Sequence, residues 1–127
     1  MNTIVAVPSE LPGGLNAPVG AHFGHCGLYT LVTLDDGQIG SVEVIPNVPH
    51  EQGGCMAPVS YLAKNRVQVL LAGGMGMRPL MGFSQMGIQV YHCGQAGTVA
   101  EAVKAFSAGQ LQHFSPQHTC GGGGGQQ

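Results

Sequence analysis

The tripeptide Asp35-Asp36-Gly37 constrains the fold of this chain more than any other feature. It separates two runs of apolar and β-branched residues, 28–34 and 38–45. Asp-Gly between two such runs is typical of a tight β-hairpin, because glycine readily adopts the positive φ that the turn requires. The sequence therefore predicts an antiparallel hairpin, preceded by one further buried strand at Thr3–Val7.

Helical and strand patterns alternate after this hairpin. Met56–Asn65 carries apolar residues at helical spacing, and short strand patterns follow at Val67–Ala72 and Ile88–Tyr91. A further helix is expected at Pro79–Met86, and Thr98-Val-Ala-Glu101 is a capping box that starts the last one. This order predicts an α/β fold in which a mixed sheet of about five strands packs against three helices.

The low charge of the chain excludes several classes of function. Its 127 residues include four Lys and Arg and six Asp and Glu, for a net charge of −2. That is too little positive charge for phosphate neutralisation, so nucleic-acid binding is not expected. No apolar run has the length of a membrane span, and the N-terminus lacks signal-peptide features, so we expect a cytoplasmic protein. The four cysteines contain no Cys-x-x-Cys pair, which argues against a structural zinc site.

The composition divides the chain after residue 112. Residues 1–112 are expected to form a single α/β domain. Residues 113–127 are polar and contain the run Gly121–Gly125, so we expect a flexible C-terminal tail that buries no core. His113, His118 and Cys120 fall in this tail, where they are expected to bind metal loosely at most.

Nitrogen- and sulfur-bearing side chains concentrate in three turns that follow predicted strands, at Ala21–Cys26, Gly73–Arg78 and His92–Gly94. In an open α/β sheet, ligands bind beyond the carboxyl ends of the parallel strands, where these turns would meet. Imidazole and thiolate ligands suit zinc, copper or metal–sulfur clusters rather than magnesium or calcium. The candidate metal ligands are His22, His25, Cys26, His92 and Cys93.

The glycine-rich turn suggests a second kind of contact, through the backbone. Glycines let a bulky ligand approach closely, and the two later turns lead into helices whose N–H groups and dipoles favour an anion. Arg78 adds a full positive charge. The candidate cofactor-binding residues are Phe23, Gly24, Gly73, Gly74, Met75, Gly76, Met77, Arg78 and Gly94.

Each of these residue types also has an ordinary structural explanation. A loop histidine is often a hydrogen-bonded surface group, and a free cysteine is often a core residue. Met81 and Met86 are expected to fill the core, whereas Met75 and Met77 stay open as ligands. The turn lacks the Gly-Lys-Ser/Thr of a phosphate-binding loop, which leaves nucleotide binding a minor alternative.

Three hypotheses for function remain at this point. The first is a soft-metal or cluster-binding protein, and the second is a metal-free module that recognises other proteins through the same loops. The third is an enzyme with Cys26 or Cys93 as nucleophile and a nearby histidine as base. The third is the weakest, because no acidic residue that could orient the histidine stands in these loops.

Five segments, considered together, resemble one known family. They are Val19–Cys26, 47–53, Ala72–Gly76, 86–90 and the helix Thr98–Ala105 with Gly109-x-Leu111, and they occur in the family's order. Over about residues 2–112 the chain resembles the dinitrogenase iron–molybdenum cofactor biosynthesis family. This resemblance implies a ribonuclease H-like α/β fold and a protein that binds or carries a metal–sulfur cluster without being an enzyme.

The resemblance also implies a cargo and partners. The cargo would be a molybdenum-containing thiometallate, of the Mo–Cu sulfide or Fe–Mo type, and one small stand-alone member holds a Mo–Cu sulfide cluster without conventional covalent ligation. Proteins of cofactor assembly or ATPases are the implied partners. Where relatives often carry Phe-Gly-Arg, this chain has Phe23-Gly24-His25-Cys26, which replaces a fixed charge with softer ligands. A single copper or zinc ion is the alternative cargo.

Overall fold

Six strands form one mixed sheet in the computed structural model, which describes residues 2–20, 28–46, 56–74, 77–93 and 97–114. The chain order alternates strands and helices after an initial group of three strands. The elements are β1 (Asn2–Ser9), β2 (Leu28–Asp35), β3 (Gln38–Pro46), α1 (Met56–Lys64), β4 (Val69–Ala72), α2 (Met77–Gln85), β5 (Gln89–His92), α3 (Val99–Ser107) and β6 (Gln112–His113).

The strands lie in the spatial order β3-β2-β1-β4-β5-β6. Strands β1, β4 and β5 are parallel, while β2 and β3 extend the sheet as antiparallel strands on one side and β6 does so on the other. The predicted α/β class with three helices is confirmed, and the sheet has one strand more than expected. Because β1, β4 and β5 are parallel, their carboxyl ends lie at the same edge of the sheet, which we call the carboxyl edge.

The hairpin turn has the geometry that its sequence requires. Asp36 and Gly37 both have positive φ, of 53° and 85°, as a two-residue turn between twisted antiparallel strands demands. Strand β2 pairs with β1 over eight residues, from Leu28 opposite Ser9 to Asp35 opposite Asn2. The predicted hairpin is confirmed, and its two strands form the side of the sheet away from β5.

Helices cover both faces of the sheet. Val59 and Leu62 of α1 and Phe83 of α2 are fully buried in the core of one face, and Val99 and Val103 of α3 are fully buried in the core of the other. The helices predicted at Met56–Asn65 and after Thr98 are thereby confirmed, as is the capping box at the start of α3. Each described helix has nine residues, and none is long enough and apolar enough to cross a bilayer.

Two methionines lie on the surface rather than in the core. The side chains of Met81 and Met86 are 55% and 49% exposed, so the prediction that they fill the core is wrong. Phe83 sets the buried face of α2. Met81 lies two residues from Phe83, about 200° away around a helix of 3.6 residues per turn, and it therefore faces outward. Met86 follows the last residue of the helix, where the helical pattern no longer applies.

The fold includes two residues that the sequence analysis assigned to the C-terminal tail. His113 belongs to β6 and its ring stacks on Tyr91 with centroids 4.3 Å apart. The side chain of Phe114 is buried, and its N–H donates to the Val90 carbonyl at 2.8 Å. A strand of two residues is too short to leave a periodic pattern in the sequence. Residues 115–127 lie outside the described residues.

A short chain of buried hydroxyl groups fixes the loop after β1 to the sheet. The Gly14 N–H donates to Thr30 Oγ1 at 3.0 Å, and the Ser9 hydroxyl donates to the Val7 carbonyl at 2.7 Å. The two hydroxyl oxygens are 2.8 Å apart, and the one hydrogen of Ser9 is already used. Thr30 therefore donates to Ser9 Oγ, which gives a continuous path from the loop to β1.

We expect Thr30→Val to lower the free energy of unfolding by about 1–3 kcal/mol, because it removes an acceptor from Gly14 and a donor from Ser9 inside the protein. Urea unfolding followed by circular dichroism measures the loss. Thr30→Ser is the matched control, since it keeps the hydroxyl and should lose clearly less. A Thr30→Val protein as stable as the wild type would show that the hydroxyl chain does not stabilise the fold.

Candidate functional site

Several connections between elements meet at the carboxyl edge. Ser9, Ala72 and His92 are the last residues of the three parallel strands. Leu28, which begins β2, pairs with both Ser9 and Pro46, so β2 starts and β3 ends at the same edge. The topology thus brings to one edge the chain positions from which the three predicted turns depart.

The segment 21–27 is anchored at both of its flanks beside the end of β1. On one side the buried Gly20 donates its N–H to the Pro8 carbonyl at 2.7 Å. On the other side Leu28 pairs with Ser9 in the sheet. Phe23, Gly24 and the candidate ligands His22, His25 and Cys26 lie outside the described residues, but both ends of their segment are fixed at the carboxyl edge.

The loop 10–20 is also attached to the start of α3. Three backbone hydrogen bonds make this attachment. They run from Val99 N to Ala17 O (3.0 Å), from Ala100 N to Leu15 O (2.8 Å) and from Val19 N to Gly97 O (3.0 Å). Residues 15–20 and 97–100 therefore form one continuous piece of backbone structure at the edge.

The N-terminus of α3 is closed by the protein's own acceptors. The N–H groups of Val99 and Ala100 bond to loop carbonyls, and the Glu101 N–H donates to Thr98 Oγ1 at 3.3 Å. The expectation that this helix offers free N–H groups to an anion is therefore wrong. Helix periodicity could not reveal this, because the acceptors come from a loop some eighty residues earlier in the chain.

The glycine-rich turn occupies the middle of the carboxyl edge. Gly73 and Gly74 follow β4 directly, and Gly74 is buried. Met77 and Arg78 form the first turn of α2, at the same edge. Met75 and Gly76 lie outside the described residues, and so does Gly94.

His92 and Cys93 lie on opposite faces of the sheet. The His92 ring is tilted against Phe114, with centroids 5.5 Å apart, and Phe114 belongs to the core under α1 and α2. The Cys93 side chain, only 3% exposed, packs into the core under α3. Consecutive extended residues point to opposite sides, so these two side chains do not face a common point.

The Cys93 thiol has the properties of a core residue. Burial raises its pKa, and a backbone hydrogen bond offsets this only in part. The thiol is therefore protonated at neutral pH, whereas a metal ligand must be a thiolate. A free cysteine can be a core residue or a metal ligand, and the burial of Cys93 favours the core residue.

No group of three metal-ligating side chains forms within the described ranges 2–20, 28–46, 56–74, 77–93 and 97–114. Of the five candidate ligands, His92 and Cys93 fall in these ranges, and they diverge. The described part of the edge contributes the glycines Gly73 and Gly74, which follow β4.

The comparisons with known proteins agree with this architecture. The sequence matches the dinitrogenase iron-molybdenum cofactor family over residues 1–109, and the chain belongs to that family. The resemblance seen in the sequence motifs is thus confirmed.

Two solved structures share the fold closely. The apo form of the orange protein from Desulfovibrio gigas superimposes with a TM-score of 0.76 and 27% identity, covering 89% of this chain and 93% of that one. A NifB-like protein from Thermotoga gives a TM-score of 0.71 and 30% identity, covering 87% and 92%. An uncharacterized protein of Methanocaldococcus jannaschii is 28% identical over 101 residues, 78% of this chain and 85% of that protein.

We expect the contribution of Cys93 to stability to fall at alkaline pH. In the unfolded chain this thiol ionises near its ordinary pKa of 9.0, whereas burial keeps it protonated in the fold. Ionisation thus favours the unfolded chain, so the contribution is complete below the ordinary pKa and is lost as pH rises toward the raised one.

Urea unfolding of the wild type and Cys93→Ala between about pH 7 and pH 10.5 measures this effect, since the range spans the ordinary thiol pKa. The stability advantage of the wild type should shrink as pH rises. An advantage that stays constant across the range would mean that the Cys93 thiol ionises equally easily in both states.

Proposed function

We propose that the protein binds and carries a molybdenum-containing metal–sulfur cluster at the carboxyl edge. One observation carries the proposal: Gly20 and Leu28, which flank the segment 21–27, and the residues that follow β4 lie at one edge, where strand pairing and backbone hydrogen bonds fix them. Membership of the iron-molybdenum cofactor family and likeness to the orange protein support a cofactor-related carrier role.

The chemistry of the edge favours a cluster that brings its own sulfide ligands. A bare metal ion needs several side-chain ligands in a fixed arrangement, and the described residues contain no such group. A thiometallate instead needs hydrogen-bond donors, positive charge and space for bulky sulfur atoms. Gly73 and Gly74 give close access to the backbone, and Arg78 in the first turn of α2 supplies the charge.

Each segment has a distinct role in this proposal. The turn from Gly73 through Met75, Gly76 and Met77 to Arg78 holds the cluster by N–H groups and charge. His22, His25 and Cys26, with Phe23 and Gly24, close over it from the segment 21–27. His92 and Gly94 form the third wall, whereas Cys93 serves the core. A Mo–Cu sulfide or Fe–Mo type cluster is the proposed cargo, and a single copper or zinc ion on the histidines and Cys26 is the alternative.

The proposal assigns no catalytic step to the protein. The family is named for the dinitrogenase iron-molybdenum cofactor, and the similar orange protein has a solved apo form, which supports a carrier role. Donor and acceptor proteins of cofactor assembly, or ATPases, would deliver and receive the cargo. A cytoplasmic location stays a prediction from the sequence.

Titration with tetrathiomolybdate, with and without Cu(I), tests the proposal. We expect the desalted protein to retain about one equivalent of bound cluster, seen in the visible absorption spectrum and by elemental analysis for molybdenum, copper and sulfur. Retention of neither thiometallate nor the Mo–Cu product would contradict the carrier function. A metal-free module for protein recognition would then be the better interpretation.

We expect Arg78→Gln to weaken tetrathiomolybdate binding by about tenfold or more, since a contact to a charged group contributes about 1.5–3 kcal/mol. Affinity for Zn²⁺ should change little, because a cation gains nothing from the guanidinium group. Isothermal titration calorimetry with both ligands measures the two effects.

Arg66→Gln is the matched control for this variant. Arg66 lies beside Asn2 and Gly87, at the edge opposite the carboxyl edge, and it carries the same charge. We expect this variant to bind tetrathiomolybdate as tightly as the wild type. Two results would contradict an anion site at Arg78. Arg78→Gln could lose as much affinity for Zn²⁺ as for tetrathiomolybdate, or Arg66→Gln could lose as much affinity for tetrathiomolybdate as Arg78→Gln.

A further inference from the structure

The capping box of α3 makes one more hydrogen bond than helix capping requires. Thr98 Oγ1 accepts from the Glu101 N–H at 3.3 Å, and Glu101 Oε1 accepts from the Thr98 N–H at 3.3 Å. These two bonds complete an ordinary capping box. The same carboxylate oxygen also accepts from the Gly97 N–H at 2.8 Å, which is the shortest of the three contacts.

The peptide group between Gly97 and Thr98 connects this carboxylate to the loop before the segment 21–27. Its N–H donates to Glu101 Oε1, and its carbonyl accepts from the Val19 N–H at 3.0 Å. Hydrogen bonds at the two ends of one peptide group polarise each other, so the negative carboxylate strengthens the acceptor that holds Val19. Pro18 and Thr98 also form an antiparallel bridge at this point.

Glu101 Oε1 lies close to the exposed Gly97 because it accepts the hydrogen bond from the Gly97 N–H. A Cβ placed on Gly97 would lie 3.3 Å from Glu101 Oε1, closer than ordinary van der Waals contact. The Glu101 side chain is exposed, so it can be changed without opening the core. Its carboxylate therefore acts on two backbone segments at once, without itself being part of the hydrophobic interior.

We propose that Glu101 is a positioning residue that joins two walls of the cargo site. Through Gly97 and Thr98 it fixes residue 97, where the connection after β5 ends, to Val19, next to Gly20, where the segment 21–27 begins. The two connections are thereby held at a constant separation before cargo arrives. This inference rests on the proposed function, and it adds that the site is preorganised by α3, which lowers the ordering cost of binding.

Glu101→Ala removes the shared acceptor, and two other variants serve as controls. Glu101→Gln keeps an Oε1 acceptor without the charge, so it should retain much of the hydrogen bonding to Gly97 and Thr98 that Glu101→Ala loses. Ala105→Gly weakens the same helix to a similar degree but lies one turn further along and does not contact the Gly97 peptide. If Glu101 only stabilised the helix, Glu101→Ala and Ala105→Gly would change the exchange of the Val19 amide and the affinity for tetrathiomolybdate to a similar degree.

The first measurement is amide hydrogen exchange of the cargo-free protein, followed by NMR. We expect the Val19 amide to exchange about tenfold faster in Glu101→Ala than in the wild type, and to be nearly unchanged in Ala105→Gly, because local opening governs exchange. Unchanged exchange at Val19 in Glu101→Ala would overturn the proposed connection. This measurement needs no cargo, so it tests the connection from Glu101 to Val19 separately from the carrier function.

The second measurement is the affinity for tetrathiomolybdate. We expect the dissociation constant to rise several-fold in Glu101→Ala, mainly through slower association, because a smaller fraction of molecules has the competent arrangement. The dissociation constant of Glu101→Gln should be close to that of the wild type, and that of Ala105→Gly should equal the wild-type value. Equal weakening in Glu101→Ala and Ala105→Gly would reduce Glu101 to a structural residue. Failure of the wild type to bind would contradict the proposed function instead.

Discussion

The parallel pairing of β1 with β4 and of β4 with β5 is the constraint on which the rest of this structure depends. It forces three strands to end at one edge, and it requires each of the two return connections to run through a helix on a face of the sheet. The antiparallel hairpin then adds the start of β2 and the end of β3 to the same edge. Strand ends that are far apart in sequence, and from which the predicted turns depart, come to lie at one edge for this reason.

Backbone hydrogen bonds organise the described part of this edge. The loop 10–20 closes the N-terminus of α3 with its carbonyl groups, and a hydroxyl chain through Thr30 fixes the same loop to the sheet. Cys93 is turned into the core. The proposed cargo carries its own sulfide ligands and therefore needs fewer side-chain ligands from the protein. This agreement between fold and chemistry supports the carrier proposal within a cofactor family.

The features that could be predicted from the sequence are those that local interactions determine. The turn at Asp36 and Gly37 and the capping box at Thr98 depend on residues that are close in the chain, and both are confirmed. The order of strands and helices follows from periodicity in the same way.

The features that could not be predicted depend on distant parts of the chain. The outward position of Met81 follows from the place that Phe83 takes against the sheet. The divergence of His92 from Cys93 arises because β5 continues to His92, one residue beyond the predicted strand, so that these side chains alternate across the sheet. The site residues in the segment 21–27 remain a prediction from their chemistry and from the family resemblance.

An amide chemical-shift map of the protein with tetrathiomolybdate tests the central claim most directly, because glycine amides report on both edges of the sheet. We expect shifts at Gly20, Gly73, Gly74 and Gly97 along the carboxyl edge. Gly37 and Gly87, at the opposite edge, should stay unchanged. Shifts centred on Gly37 and Gly87, or spread evenly over the sheet, would contradict a cargo site formed where the parallel strands end.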